Sequence, residues 1–381
     1  MENTIDNLFL EKESETHLYL LASFSAIDRY MGFPSLPFIW IETDADLTTL
    51  AKTFENLRFP GKDIADAALD IDEKTYYFYL CDPDYPAYTY KLLSLTQNMK
   101  TLHFYDRKNI YPILRTLRNR TQKTSEKAEC WWKGLNPETK KYKAIMDSAL
   151  ILSRYGTIDD ENKAIKEILF SIQELDQGIL PKEEEQRVFL TTLLCSIRPD
   201  LGFELLKRSG FLERVWAELA FLDNVDHSKE FHPEGNVWKH TMETFRYRKK
   251  LDFRLSLGLL LHDIGKADAK SSGNRRFDGH AEIGAKSASK FLKRLGFDEN
   301  LIKDIHFLVR NHMITAALPR LPLTKSTEAI LKSPLFPTLL ELYRCDEASS
   351  FKELEGYYKS SALYKTFLKR NNNPYRELAF I

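Results

Sequence analysis

The sequence predicts an α+β chain: a small mixed α/β head, then an all-α neck and body, then a second all-α domain. Three observations predict it. Runs of β-branched and aromatic residues, set apart by Pro, Gly and Asp, are concentrated between about 16 and 120. From 141 onwards apolar residues recur three or four apart almost throughout. A length of 381 residues corresponds to about two to three domains, and 43% hydrophobic with 29% charged residues is the make-up of a folded chain, which excludes wholesale disorder.

Taken in order, PFIWIET (37–43), KTYYFYLCD (74–82) and MKTLHFYD (99–106) read as strands of the head, residues 1–120. Residues 107–143 turn basic, with eleven Lys and Arg against three Glu, and read either as a solvated connector or as an RNA-facing surface. A helical neck and body follows over 121–230, carrying KAIMDSALILSRYG, EEEQRVFLTTLLCSI and DLGFELLKRSGFLERVWAELAFL. The second all-α domain spans 231–365, with RLSLGLLLHDIGK, HAEIGAKSASKFLKRLGF and ENLIKDIHFLVRNHM, before a tail at 366–381. Asp200 and Asp298 stand where helix N-caps are expected, Gly210 and Gly296 where helices stop.

Lys plus Arg (55) cancels Asp plus Glu (55), so no global field draws a polyanion and nucleic-acid contact requires a local patch. Four dispersed cysteines without a CxxC pair disfavour a zinc ribbon or a disulfide framework. The N-terminus has no basic start followed by an apolar core, and no apolar run approaches the roughly 18 residues of a membrane span. A cytoplasmic protein without membrane contact is expected.

Histidine is the biased residue. Of nine, seven fall between 227 and 312. Within that stretch LLLHDIGK (259–266) ends an apolar helix in adjacent His262 and Asp263, a nitrogen and an oxygen ligand for one divalent cation. Helices packed in a bundle can bring His240 and Asp346 to the same point, and His280 with His312 could complete a neighbouring cation site. His227 and His306, taken singly, read as hydrogen-bonded or surface histidines, and His232 as part of a turn. Divalent cations at such a cluster acidify water and polarise phosphoryl oxygens, with Asp263 as a bridging carboxylate. Lys266 would offset charge on the phosphoryl group, and His280 or His312, if not ligands, could protonate the leaving oxygen. No GxSxG, catalytic-cysteine pattern or P-loop is present.

The ordered series His240, His262-Asp263, His280, His312, Asp346 resembles the HD-domain superfamily of metal-dependent phosphohydrolases. The resemblance implies His240, His262, Asp263 and Asp346 as the defining ligands, His280 and His312 as ligands of a second metal, and Lys266 near the phosphate. It implies one or two divalent ions without choosing among Mn, Ni, Co, Fe, Mg and Zn.

QRVFLTTLLCSIRPDLGFELLKRSGFLERVWAEL followed by HPEGNVWKHT, FDGHAEIGAKSASKFLKRLGF and FLVRNHM further resembles the body and HD domain of bacterial tRNA nucleotidyltransferases and poly(A) polymerases, over about 180 to 350. That resemblance implies a nucleotidyltransferase head, and the head departs from the pattern. Thr43-Asp44-Ala45 is kept, but Phe38 and Trp40 occupy the two magnesium-binding carboxylate positions. Ser23-Phe24 replaces the Gly-Gly pair, although Asp28 and Gly32 match; Tyr85-Pro86-Ala87 and Lys91 replace the Arg-Arg-Asp and Asn of a later segment; of the neck arginines only Arg154 is kept. Apart from Asp44-Ala-Asp46, the other Asp-x-Asp triplets of the head, 70/72 and 82/84, also lack an upstream Gly-Gly or Gly-Ser; 82/84 is a turn pattern and 70/72 approaches a hairpin.

The function expected is a metal-dependent phosphohydrolase, a phosphodiesterase or phosphatase on a nucleotide or RNA-end phosphate, using Asp263 and Lys266 in the C-terminal domain with nucleotidyl transfer lost. The alternatives are a tRNA nucleotidyltransferase or poly(A) polymerase-like RNA-processing protein, and a non-catalytic relic that binds tRNA through 107–143 and the body.

Overall fold

A computed structural model describes residues 17–61, 64–81, 88–118, 131–156, 161–173, 180–226, 235–272, 275–350 and 353–370. The fold is mixed α+β, a six-stranded sheet followed by many helices. Two compact units divide the chain, Met1–Leu193 and Leu194–Ile381. Among the described residues no helix is long and apolar enough to cross a membrane.

Unit 1 is built on β1 (Tyr19–Ala22), α1 (Ser23–Met31), β2 (Phe38–Thr43), α2 (Leu47–Thr53), β3 (Ala67–Ile71), β4 (Lys74–Leu80), β5 (Thr96–Asn98) and β6 (Phe104–Tyr105). The strand order is β3-β4-β2-β1-β5-β6, with β2 parallel to β4 and the other pairs antiparallel. β2 and β4 are the aromatic and β-branched runs expected from the sequence, paired with Trp40 opposite Tyr77. The third run is largely a turn: Asn98 accepts from the amides of Lys100 and Thr101, Leu102 has φ of 59°, and only Phe104–Tyr105 pairs. The 70/72 triplet does lie at a hairpin, with Asp72 at φ of 54° between β3 and β4.

Helices α3 (Tyr111–Arg118), α4 (Lys141–Tyr155), α5 (Glu161–Ile172) and α6 (Glu183–Leu194) complete this part of the chain. The basic segment is therefore partly helical, and its Trp131 and Trp132 are buried, Trp131 edge-on to Tyr90 at 5.0 Å. Residues 119–130 within it lie outside the described residues.

Unit 2 runs through α7 (Pro199–Arg208), α8 (Phe211–Val215), α9 (Ala217–Ala220), α10 (Val237–Thr244), α11 (Phe253–Leu261), a ribbon β7 (Lys270–Ser272) and β8 (Arg275–Asp278), α12 (His280–Arg294), α13 (Glu299–Asn311), α14 (Ile314–Ala317), α15 (Lys325–Leu331), α16 (Phe336–Ser349) and α17 (Glu355–Arg370). The ribbon is an addition that helical periodicity does not predict. Asp298 caps α13 through the amides of Asn300 and Leu301, as expected. Asp200 instead lies inside the first turn of α7, because Pro199 takes the opening position, and it binds Arg198 and Arg246. Gly210 and Gly296 both follow helix ends in the left-handed region.

Trp216 and Trp238 are fully buried among Phe203, Phe245 and Phe291, so the core of unit 2 is anchored by rings. α11 is apolar on nearly every face and buried over Leu255–Leu261. A Cβ at Gly258 would press on Leu308 of α13 and Leu342 of α16. The glycine thus lets three helices approach closely just before the residues His262 and Asp263.

Candidate metal centre

Five elements deliver six side chains to one place. His240 is carried by α10, whose N-cap Asn236 accepts from the amide of Lys239. His262 and Asp263 follow α11 directly, His280 opens α12, His312 closes α13, and Asp346 lies on α16. All six metal-ligand candidates read from the sequence are brought together, in two groups whose ligand atoms lie within 4.8 Å of one another: His240, His262 and Asp346, and Asp263, His280 and His312.

Asp263 stands between the groups. Its Oδ2 is 3.2 Å from His262 Nε2 and 4.0 Å from His240 Nε2, while Oδ1 is 3.6 Å from His280 Nε2 and 3.8 Å from His312 Nε2. One carboxylate oxygen therefore faces each set. On the far side of the first set, Asp346 Oδ1 lies 2.9 Å from His240 Nε2.

The ring orientations are set by the main chain. His262, His280 and His312 each direct Nδ1 at the carbonyl three residues back, of Leu259, Phe277 and Val309, at 2.7–2.9 Å. A carbonyl oxygen only accepts, so each Nδ1 donates and each neutral ring turns the Nε2 lone pair inward. Ser349 does the same for His240: its hydroxyl donates to the Asp346 carbonyl and so accepts from His240 Nδ1 at 3.2 Å. Sequence reasoning missed Ser349, whose only signal is its place three residues after Asp346 on one helix.

This arrangement fits a cation. Nε2 of His280 and of His312 face each other at 3.2 Å, two lone pairs with no proton between them when both rings are neutral. Burial pushes His312 down to about 4 and lowers His280, so both favour the neutral, ligating form. Burial alone would lift the Asp263 carboxyl; the positive charge of a protonated His262, which a bound cation would replace, and that of Lys266 reverse this and hold it well below the usual carboxylate range. Asp346 is likewise held far below that range when His240 is protonated, its hydrogen bond and charge outweighing burial; a cation at Nε2 would take the place of that proton. Neutral imidazoles and ionised carboxylates are the donor set of divalent transition metals and magnesium, without selecting one.

Lys266 places Nζ 2.6 Å from Asp263 Oδ2 and lies over the Phe277 ring. Gly265, between them in sequence, has no room for a side chain: a Cβ would overlap the His280 carbonyl oxygen and the Gly284 amide nitrogen. His306 stays apart, its Nδ1 3.2 Å from Ser289 Oγ, while His227 and His232 lie outside the described residues.

In unit 1 the residues singled out for nucleotidyl transfer are placed as follows. Phe38 and Trp40 are on β2, partly buried, Phe38 ring-to-ring with Tyr77 and Trp40 with Phe24. Ser23 and Phe24 open α1, and Gly32 ends it. Asp28 is buried in a bidentate pair with Arg154 and accepts from Tyr155. Asp44 accepts from the Leu18 amide and Asp46 caps α2, whereas Asp70 pairs with Arg58 and Thr75. Lys91 begins a short 3-10 turn. Tyr85, Pro86, Ala87, Asp82 and Asp84 lie outside the described residues.

Against known proteins, a family model described as the HD domain matches residues 236–331, so the chain carries an HD domain. The CC-adding tRNA nucleotidyltransferase of Thermus thermophilus is 30% identical over 179 residues, 45% of this chain and 40% of that protein. The Multifunctional CCA protein of Halorhodospira halophila is 30% identical over 140 residues, 36% of this chain and 33% of that protein. The matches thus span well under half the length of these curated relatives. Among solved structures, the Bacillus stearothermophilus CCA-adding enzyme in complex with CTP is similar at a TM-score of 0.52 and 11% identity, over 96% of this chain and 82% of that chain, a likeness of fold.

Proposed function

We propose that the chain is a metal-dependent phosphohydrolase, acting on a nucleotide or RNA-end phosphate at the histidine-aspartate cluster of unit 2. The observation that carries this reading is Asp263 with one oxygen toward each of two donor sets. Divalent cations held by His240, His262 and Asp346, and by His280 and His312 with Asp263 shared, would acidify water and polarise the phosphoryl oxygens.

The chain's own groups supply the rest. His240, His262, His312 and Asp263 have side chains at most 2% exposed and form the floor, while His280 (12%), Lys266 (11%) and Asp346 (24%) form the open side that substrate would reach. Lys266 sets a point charge beside the phosphoryl group and offsets charge that builds on its oxygens. The Nδ1 bonds to the main chain keep the rings from turning, so the donors are oriented before substrate arrives.

Metal analysis of the purified protein, with turnover of bis(4-nitrophenyl) phosphate in Mn²⁺, Ni²⁺ or Co²⁺, tests the reading. We expect bound divalent metal and a hydrolytic rate, both lost in Asp263→Ala. Native protein without divalent metal, and an Asp263→Ala variant unchanged in metal content and rate, would overturn it.

A second reading is a tRNA nucleotidyltransferase-like RNA-processing protein, and the names of the matched relatives favour it more directly than hydrolysis. Against retained nucleotidyl transfer stand the aromatic side chains of Phe38 and Trp40 and the commitment of Arg154 to Asp28. Incorporation of labelled CMP or AMP into tRNA, abolished by Asp70→Ala or Asp72→Ala, would establish this reading. Salt-sensitive tRNA binding that survives loss of His262 and Asp263, with neither activity, would leave the non-catalytic relic.

A further inference from the structure

Unit 1 contains a cavity of about 740 Å³, within the range of small-molecule sites. Its walls combine aromatic faces with carboxylates. Phe24, Trp40, Tyr77 and Tyr79 supply the rings, with Phe24 and Trp40 tilted against each other at 5.9 Å. Trp40 and Glu42 are two apart on β2, and Tyr77 and Tyr79 two apart on β4, so each pair shares one face of its strand.

Among the described residues the charged lining is one-sided: Glu42, Asp66, Asp147 and Glu185 against Lys143. Lys143 is already balanced, 3.6 Å from Asp147 and held further charged by Glu185. Asp66 accepts from the Leu80 amide, and Asp147 from the Thr89 hydroxyl. Glu42 differs. Among the described residues its carboxylate makes no hydrogen bond, and burial, opposed by the charge of Arg107, raises its pKa.

Among the described residues of the lining, a nucleoside triphosphate would meet repulsion from these acids with only the Lys143 cation to offset it. A bare metal ion is not favoured either. Among the described residues, the two groups of three or more close His, Cys, Asp or Glu ligand atoms are both in unit 2. What the walls complement is positive charge on an apolar body, since a desolvated ammonium gains from a carboxylate and from the face of an indole together.

We propose that this cavity binds a small organic cation, an ammonium joined to an apolar or aromatic body, with the ammonium at Glu42 and the body against Trp40 and Phe24. The site is separate from the metal centre and does not depend on the reading given for it.

Calorimetric titration of the full-length chain with phenethylamine, 2-phenylethanol and CTP tests the proposal. Phenethylamine is expected to bind saturably, at least about tenfold more tightly than the neutral alcohol or CTP. Glu42→Gln, with unchanged melting temperature, should weaken the amine at least about tenfold, and Asp263→Ala should leave it unaltered. The alcohol comparison on the unmodified chain stands even if Glu42→Gln fails to fold. Absence of saturable amine binding up to about 10 mM, equal affinity for amine and alcohol, or tighter binding of CTP would each overturn the proposal.

Discussion

Asp263 Oδ2 lies 2.6 Å from the Lys266 ammonium and 3.2 Å from His262 Nε2, so on the proposed reading two positive charges compete for it, the lysine and a cation at the imidazoles. Removing each partner should therefore have opposite consequences. Asp263→Asn takes away the shared carboxylate, and metal content should fall together with phosphodiester turnover. Lys266→Met relieves a competitor, so metal content should hold or rise while kcat falls about 10²–10³-fold, the usual loss of one charge-stabilising donor. Metal analysis and turnover measured on the same preparations separate the two roles. A similar contrast applies at Asp28 and Arg154, a pair whose side chains are each 3% exposed. Arg154→Met alone should cost about 3–5 kcal/mol by stranding a buried carboxylate, whereas Asp28→Leu with Arg154→Met should lie close to the unmodified chain. Urea midpoints of the two single variants and the double variant decide this; an additive double variant would show that the arginine is not a structural partner of Asp28.

At the level of elements, α12 is held to the HDIGK turn through backbone, with Gly265 against the His280 carbonyl and the Gly284 amide. Gly265→Ala has to push the start of α12 outward, at about 1–3 kcal/mol of overpacking. His280 would move with it, and His312 Nε2, 3.2 Å from His280 Nε2, would lose its neighbour. The expected outcome is loss of metal from the Asp263, His280 and His312 group while His240, His262 and Asp346 keep theirs, seen as a reduced metal-to-protein ratio. Much of this cluster is legible in the sequence, because each candidate ligand marks a helix end or a helix face: His262-Asp263 closes an apolar run, and Asp298 caps the helix that ends at His312. What stays illegible depends on contacts between segments far apart. Ser349 carries no motif and matters only because α16 brings it to His240 Nδ1. Phe104–Tyr105 keeps two residues of an eight-residue β-type run because the Asn98 side chain turns the chain first, and Asp200 leaves its cap position because Pro199 starts the helix earlier. The β7–β8 ribbon is set by its own pairing and leaves no trace in the helical periodicity around it.

At the scale of the molecule, the two units differ in which titrations they resist. Unit 1 buries several phenols: burial lifts Tyr77 to about 12, and it lifts Tyr79, Tyr90 and Tyr155 above the ordinary range as well. In unit 2 burial likewise lifts Tyr343 and pushes the Cys345 thiol up to about 12, with Tyr247 and Tyr357 raised as well, so among the described residues unit 1 holds more of the strongly lifted phenols. An unfolded tyrosine ionises near 10, so between about pH 10 and 12 the unfolded chain sheds protons that the folded chain retains. A folded-state pKa above the unfolded value gives stability that is present below pH 10 and lost as pH rises through the folded pKa. For Tyr77, displaced from 10 to about 12, this is about 3 kcal/mol once the pH passes 12, and the neighbouring phenols add in the same direction. Unit 1 should therefore open at a lower alkaline pH than unit 2. Hydrogen exchange resolved by peptide at pH 7 and above pH 10 checks it: β3, β4 and α4 should lose protection while α10 and α11 keep theirs. Tyr77→Phe removes one of the titrating groups and should flatten the alkaline loss of unit 1 by about 3 kcal/mol, while an unchanged alkaline profile in that variant would show that the buried phenols do not set it.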